Sequence, residues 1–429
     1  MDVSHETNRH ILKEREGAAL KPYQDMRLFG FAHHGDPALI QEELEKRYHS
    51  EAAIHLPFCV GDAPAFVMLN GELHQLISSI HRWDKALMRL CGQIPSEAMT
   101  QFANSTMVEE IQQTNEVENV QSTRKEIREA FAALESNQKG KRFSGMVNKY
   151  HLLIAHRQIP LQSCQDIRDL YDDFILDEVL RENRENAPDG LIFRKGPIGV
   201  YSNRDQKIHA GLFPESRIIE AMEQGLTLLH DPEIDPLIRI AAYHYWFAYV
   251  HPFYDGNGRM TRFISSYMLS QEFSEAACLR IAYVIKDHRR DYYRLFRDAN
   301  EKRSMGDLTR FVIGFLRFFE QALMDAHTSL DEKNHHYQQC AAVLSNELQK
   351  RLPDLDLRYH KLLTVMLQED LFGHPRSDIH KLAGLCDCNE RTLRNVLKQC
   401  GDLVCHETEK KKFYWHINLS VLDGQQPSP

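Results

Sequence analysis

One stretch governs what this chain can fold into. From Ile234 to Tyr249 it is apolar on nearly every side, with Leu237, Ile238, Ile240, Ala241, Ala242, Trp246 and Phe247 leaving no continuous polar face. A helix of that kind belongs at the centre of its domain, wrapped by other elements. The wrapping is legible around it. Ile218, Ile219, Met222, Leu226 and Leu229 share one face of a helix starting at Glu215, and further helices are expected over 287–300 and 307–325. Upstream, helical spacing runs from Phe66 through Leu69, Leu73, Leu76, Ile77, Ile80 and Trp83, then from Met107 to Leu134, and again over 146–156 and 163–183. Residues 135–145 read as a loop, and residues 1–60 show no clear period. In the middle of the chain a β-hairpin is expected only around 198–209, where Asn203, Arg204 and Asp205 signal a turn. That middle part therefore reads as a helical core with one hairpin attached, and the chain as mainly α with no internal repeat.

The last part has its own layout. Leu362, Leu363, Val365 and Met366 mark one helix, Ser377 to Ala383 starts a second, and Arg391 to Leu397 a third that Gly401 ends. Leu403 to Cys405 and Phe413 to Trp415 read as two short strands around Lys410, Lys411 and Lys412. Helix, turn, helix and hairpin make a winged-helix-like module. Between 376 and 416 there are eight Lys/Arg and six Asp/Glu. A surplus of two favours protein docking over DNA binding, which stays a weaker alternative. The expected domains are 1–104 (an N-terminal helical region), 105–330 (the helical core with its hairpin) and 331–429 (a linker helix and the winged-helix-like module).

Composition narrows the class. A length of 429 residues suits two to four domains. The net charge of −9 argues against a whole-chain nucleic-acid footprint. No apolar run reaches the ~18 residues that suggest a membrane span, and Met1 to Glu6 lacks a signal-peptide layout. Nine irregularly spaced cysteines then read as reduced thiols of a cytoplasmic protein. Cys386 and Cys388 are expected to be small buried side chains, and His335, His336 and Cys340 a solvated helix face.

The chemistry concentrates in His251 to Arg262. Pro252 ends the apolar helix, and Gly256, Asn257 and Gly258 form a tight turn opening the next one. The N–H groups of a helix start make an anion site. Arg259 lies in its first turn and Arg262 three residues on, on nearly the same face. Two guanidiniums beside such a nest suit a polyphosphate. Asp255 beside it is reasonable if a cation joins it to the phosphates, as Mg²⁺ does. His251 can take a proton from an incoming hydroxyl. These are the parts of a nucleotidyl transfer, and Phe253 is placed to plug the loop into the core.

This segment resembles the Fic family signature, HxFx(D/E)GNGRxxR, at His251, Phe253, Asp255, Gly256, Asn257, Gly258, Arg259 and Arg262. Chance agreement at eight positions is on the order of 10⁻⁸ for this length. The resemblance extends over about 105–325, and Tyr292, Tyr293, Phe296 and Asn300 look like the family's adenine pocket. Lys302 to Met305 are extra relative to the usual pattern. The resemblance implies a Fic-type helical bundle with a hairpin flap and transfer of AMP from ATP to a Ser, Thr or Tyr hydroxyl of a protein, the chain itself included. In that scheme His251 is the base and Asp255 holds Mg²⁺. Gly256, Asn257 and Gly258 bind phosphate oxygens, the Asn257 side chain helping. Arg259 and Arg262 hold the outer phosphates, and the hairpin grips the target by strand addition.

A second pattern bears on control. Thr114 to Asn119 resembles the family's inhibitory motif, (S/T)xxxE(G/N), through Thr114, Glu118 and Asn119. A buried Glu118 needs a cationic partner, and a pair with Arg262 would occupy the guanidinium that the γ-phosphate needs. Alternatives are transfer of another phosphate-linked group on the same fold, removal of AMP, and a winged-helix DNA-binding regulator. The glycines at 256 and 258 favour AMP over the kinase-type relatives, whose pattern resembles HxFxDANKR.

Overall fold

The structure, a computed structural model, describes residues 22–135, 140–201, 207–373, 378–409 and 412–424. The expected turn at Asn203 to Asp205, the loop residues 136–139 and Lys410 and Lys411 lie outside them. The protein is mainly α-helical, with three two-stranded antiparallel hairpins among the described residues. Its chain divides into two compact units, each built from separate stretches of sequence.

The first unit comprises Met1–Arg82, Ile159–Glu272 and Asp287–Glu320. Its centre is the helix Pro236–Val250, with eleven buried residues, Tyr243, Tyr245, Trp246 and Phe247 among them. Asp235 caps its start by accepting from Leu237 N at 2.9 Å, and Pro236 occupies the first position, where no N–H is missed. The helices Glu215–Leu229 and Asn257–Ser270 flank it. Gly225 permits the close approach: a Cβ there would meet Trp246 Cδ1 at 2.7 Å. Trp246 donates to Ala221 O at 2.6 Å, and its ring lies flat on Phe58 at 3.9 Å.

Phe58 belongs to a hairpin that the hydrophobic period does not reveal. Ala53–Val60 pairs with Ala63–Met68 across the turn Gly61-Asp62, with Val60 opposite Ala63. The helix expected from Phe66 begins at Gly71 instead, after Asn70, whose side chain accepts from Leu73 N. Phe66 and Val67, an aromatic and a β-branched residue, suit a strand, and strand pairing satisfies their backbone. The extra residues Lys302 to Met305 form a short 3₁₀ turn packed against the helix Met26–Ala32, with the Arg303 guanidinium 5.0 Å from the Phe31 ring. Beyond it, Phe66 N donates to Gly306 O and Leu308 N to Phe66 O, so this stretch extends the first hairpin.

The second unit comprises Trp83–Gln158, Phe273–Lys286 and Gln321–Pro429. Helix Ser96–Val117 packs against Leu357–Phe372. The long helix expected over 107–134 is two: it stops at Val117 and resumes as Arg124–Glu135. Helices Ile379–Leu385 and Glu390–Gln399 precede the hairpin Val404–Glu409 with Lys412–Ile417. The helix expected over 307–325 runs on as Thr309–Arg351. Cys386 is buried and Cys388 half-buried.

Candidate active site

The helix Pro236–Val250 ends where His251 turns into the left-handed region, at φ 55° and ψ 63°. Its N–H still bonds Phe247 O at 3.0 Å, and Pro252 forbids continuation. The ring Nδ1 lies 3.2 Å from Ala248 O. A proton on Nδ1 donated to that carbonyl leaves Nε2 as the basic nitrogen.

The loop that follows is closed by its own side chains. Asn257 accepts from Phe253 N at 3.0 Å and donates to Phe253 O at 2.8 Å, so its amide serves the loop. Phe253 is fully buried, stacked on Tyr171 at 3.7 Å and edge-on to Phe193. Tyr171 also donates to Asp255 O at 3.1 Å. Gly256 sits at φ 80° with Tyr171 and Ile175 3.3 Å from where a Cβ would be, so both conformation and space require glycine. Ile175 lies in a π-helical turn, Asp172–Leu176.

The next helix, Asn257–Ser270, forms its first backbone bond from Met260 N to Gly256 O. The N–H groups before it have no partner within the helix and are the material of an anion nest. Arg259 and Arg262 are completely buried just behind that start. Arg259 Nη2 lies 3.5 Å from Asp255 Oδ1, while its Nε and Nη1 are buried with no hydrogen-bond partner among the described residues. Donors left in that state are costly unless an anion meets them. Asp255 is about one-third exposed, its Oδ1 also accepting from Gly256 N.

Tyr292, Tyr293 and Asn300 lie on the helix Arg289–Asn300 of the same unit. Tyr292 is buried; its hydroxyl donates to His244 Nε2 at 2.9 Å. Burial, and next the Arg262 charge, hold the His244 imidazole well below its usual range, so it is neutral. Its Nδ1 faces Ser265 Oγ, which itself donates to Thr261 O; the imidazole proton therefore sits on Nδ1. Asn300 accepts from Tyr245 OH at 2.6 Å, and Tyr293 is half-buried.

Thr114, Glu118 and Asn119 belong to the second unit. Thr114 is buried, Glu118 is the half-buried C-cap of Ser96–Val117, and Asn119 follows at φ 59°. That angle explains the glycine-or-asparagine position of the motif: one residue past the helix end must be left-handed.

Sequence reasoning missed the loop 189–196. Glu215 accepts there from Leu191, Ile192 and Phe193 N, while Tyr254 donates to Asp189 and accepts from Gly196 N. Arg194, completely buried, donates to His251 O at 2.8 Å, Gly196 O at 2.6 Å, Leu212 O at 2.8 Å and Val250 O at 3.4 Å. It therefore ties the backbone of the 251–257 loop to the base of the hairpin Gly199–Tyr201 with Lys207–Ala210. Nothing in its local sequence signals this, because all four acceptors are carbonyls.

Residues 150–269 match the Fic/DOC family. A protein adenylyltransferase fic-1 of Caenorhabditis elegans is 27% identical over 157 residues, 35% of this chain and 28% of the relative. A protein adenylyltransferase Fic of Drosophila yakuba is 30% identical over 99 residues, 22% of this chain and 17% of the relative. The matched stretches thus span less than a third of those relatives. Among solved structures, a Fic family protein of Desulfovibrio desulfuricans G20 aligns with TM-score 0.47 at 18% identity, covering 82% of this chain and 97% of that one. Fic-1 of C. elegans aligns with TM-score 0.44 at 18% identity, covering 76% and 94%.

Proposed function

This chain is a Fic family protein, and we propose that it transfers AMP from ATP to a hydroxyl of a protein side chain. The observation that carries the reading is the placement of His251 one short loop away from a helix start backed by two buried arginines, with unpartnered Arg259 donors. The target oxygen attacks the α-phosphorus, the bond to the β-phosphate oxygen breaks, and pyrophosphate leaves. His251 Nε2 takes the hydroxyl proton. The N–H groups opening the helix Asn257–Ser270 receive phosphate oxygens, and Arg259 and Arg262 hold the outer phosphates. Asp255, a part-exposed carboxylate beside a buried guanidinium, would hold Mg²⁺, which would neutralise phosphate charge. Tyr293 and Asn300 face the adenine, with Tyr292 behind them as support. The hairpin at 199–210 receives the target backbone.

The inhibitory part of the proposal rests on the sequence motif. Glu118 restrains transfer by engaging Arg262, and Asn119 lets the helix end there. The C-terminal helices and hairpin serve as a winged-helix docking module for protein. No helix of the described residues is long and apolar enough to cross a membrane; action on a cytoplasmic target is part of the proposal.

Mass spectrometry of the protein after incubation with ATP and Mg²⁺ tests the reading. A gain of one AMP is expected, on a larger fraction of molecules in Glu118→Gly and formed at least ~10² more slowly in His251→Ala. No AMP on the Glu118→Gly protein or on any offered protein overturns the transferase assignment. Equal transfer by the parent and Glu118→Gly at saturating ATP overturns inhibition alone.

A further inference from the structure

The sequence predicts a solvated helix face at His335, His336 and Cys340; His335 is exposed and His336 part-exposed, and the structure corrects the expectation at Cys340. Cys340 is buried at 1% exposure, and a residue from the far end of the chain joins the pair. His336 and Cys340 stand one turn apart on the helix Thr309–Arg351, so their side chains share a face. Asp423 follows the short helix Leu419–Leu422, which is anchored by buried Leu422 and by Asn418 N on Leu403 O. His336 Nε2 lies 2.8 Å from Asp423 Oδ1, Cys340 Sγ lies 3.6 Å from the same oxygen, and all three donor atoms fall within 4.8 Å of one another.

We infer that His336, Cys340 and Asp423 form a binding site for one Zn²⁺ ion. An imidazole, a thiolate and a carboxylate suit a borderline-soft, tetrahedral cation; Mg²⁺ and Ca²⁺ take oxygen ligands instead. With bonds of about 2.3 Å to sulfur and about 2.0–2.2 Å to nitrogen and oxygen, the donors of such a site stand roughly 3.3–3.6 Å apart. The sulfur and oxygen already have that spacing, and the nitrogen and oxygen need to part by about half an ångström. Each donor rides on a helix or its immediate cap, so the site is assembled before the ion arrives. His336 and Asp423 are 39% and 35% exposed, which opens the fourth position to water. Binding exchanges the Cys340 S–H for an S–Zn bond and releases that proton to solvent. The site would fasten the segment after Asn418 to the long helix. It does not rest on the transferase reading.

The test uses the full chain after chelator treatment, titrated with Co²⁺ and then Zn²⁺. One equivalent of Co²⁺ should develop a thiolate-to-metal charge-transfer band in the near ultraviolet, which Zn²⁺ displaces. Cys340→Ser should lose the band. His336→Ala and Asp423→Asn, both changes at the surface, should raise the half-saturating Co²⁺ concentration by about tenfold or more, since even second-layer partners are worth roughly that. His335→Ala and the exposed Cys405→Ser should leave it unchanged. The site is refuted by a parent protein with no thiolate band, by a band that survives Cys340→Ser, or by half-saturation indifferent to both His336→Ala and Asp423→Asn.

Discussion

Two neighbouring loops of the first unit hold the candidate site, and they are held in opposite ways. The loop 251–257 closes on itself: Asn257 grips both backbone atoms of Phe253, and Asp255 accepts from the next N–H. The loop 189–196 is closed largely from outside, by Glu215 on three N–H groups and Tyr254 on Gly196 N. In return its own Arg194 reaches out to carbonyls at 212, 250 and 251. A loop whose bonds are local can be read as a motif. A loop whose bonds are distant cannot, although here it positions the same histidine.

Removing the outward staple should break this comparison most severely. Arg194→Leu leaves the carbonyls of Gly196, Leu212 and His251 without their donor, while Val250 O keeps Leu212 N, and loss on the order of 3–5 kcal/mol is expected in a urea unfolding curve. Arg194→Lys has three donors on a flexible stem and should recover only part of it. Gly211→Ala attacks the same point sterically, since a Cβ there would lie 2.6 Å from Arg194 Nη2 and 3.0 Å from His251 Cβ. An unchanged midpoint in Arg194→Leu would mean the loop 189–196 needs no staple.

The next effect is on chemistry rather than folding. His251→Gly should cut AMP transfer by at least ~10², about 2.7 kcal/mol of barrier. Glycine suits φ 55° better than histidine does, so the urea midpoint should stay level or rise. A parallel fall in stability would show that the ring's contribution is structural.

Asn257→Ala should cost about 1–2 kcal/mol by releasing both bonds to Phe253. Asn257→Asp keeps the acceptor but sets a negative oxygen against Phe253 O, and should be no better. Matching melting temperatures in the alanine variant and parent would deny the loop its self-closure.

The smallest effect concerns Glu215. Burial by itself would raise its carboxyl, but the N–H groups of Ile192, Phe193 and Leu191, with Lys195, hold it below the ordinary carboxylate range. Such a group stabilises the fold above the unfolded-state value near ~4.3, and the contribution disappears as pH falls through the lowered folded value. Glu215→Gln should therefore flatten the acid end of the stability–pH curve slightly, by under ~1 kcal/mol for so solvated a group. Identical acid limbs would remove the carboxylate from the account.

Legibility in this chain tracks how far apart the bonded residues lie. The central helix and the signature from His251 to Arg262 could be read directly, because burial on all sides and a tight glycine turn leave marks within a few residues. Gly61-Asp62 carried a two-residue turn signal, but the helical spacing of Phe66 and Leu69 with later residues masked it. The break after Val117 was hidden because Glu118 and Asn119 differ from helix formers only in the left-handed angle the second adopts. The π-turn at Asp172–Leu176 and the bonds of Tyr171 to the loop left no mark at all.

By itself, then, the sequence determined the helical class, the buried core helix and the residue types of the tight turn from His251 to Arg262, since each follows from side-chain polarity and backbone freedom over a short span. Only the tertiary structure decided that Arg194 staples that turn, that Asn257 serves the loop, that Tyr292 is a buried support, and that Asp423 meets His336 and Cys340. Each of these is a contact between residues brought together by packing, and the chain between them carries no record of the distance that folding removes.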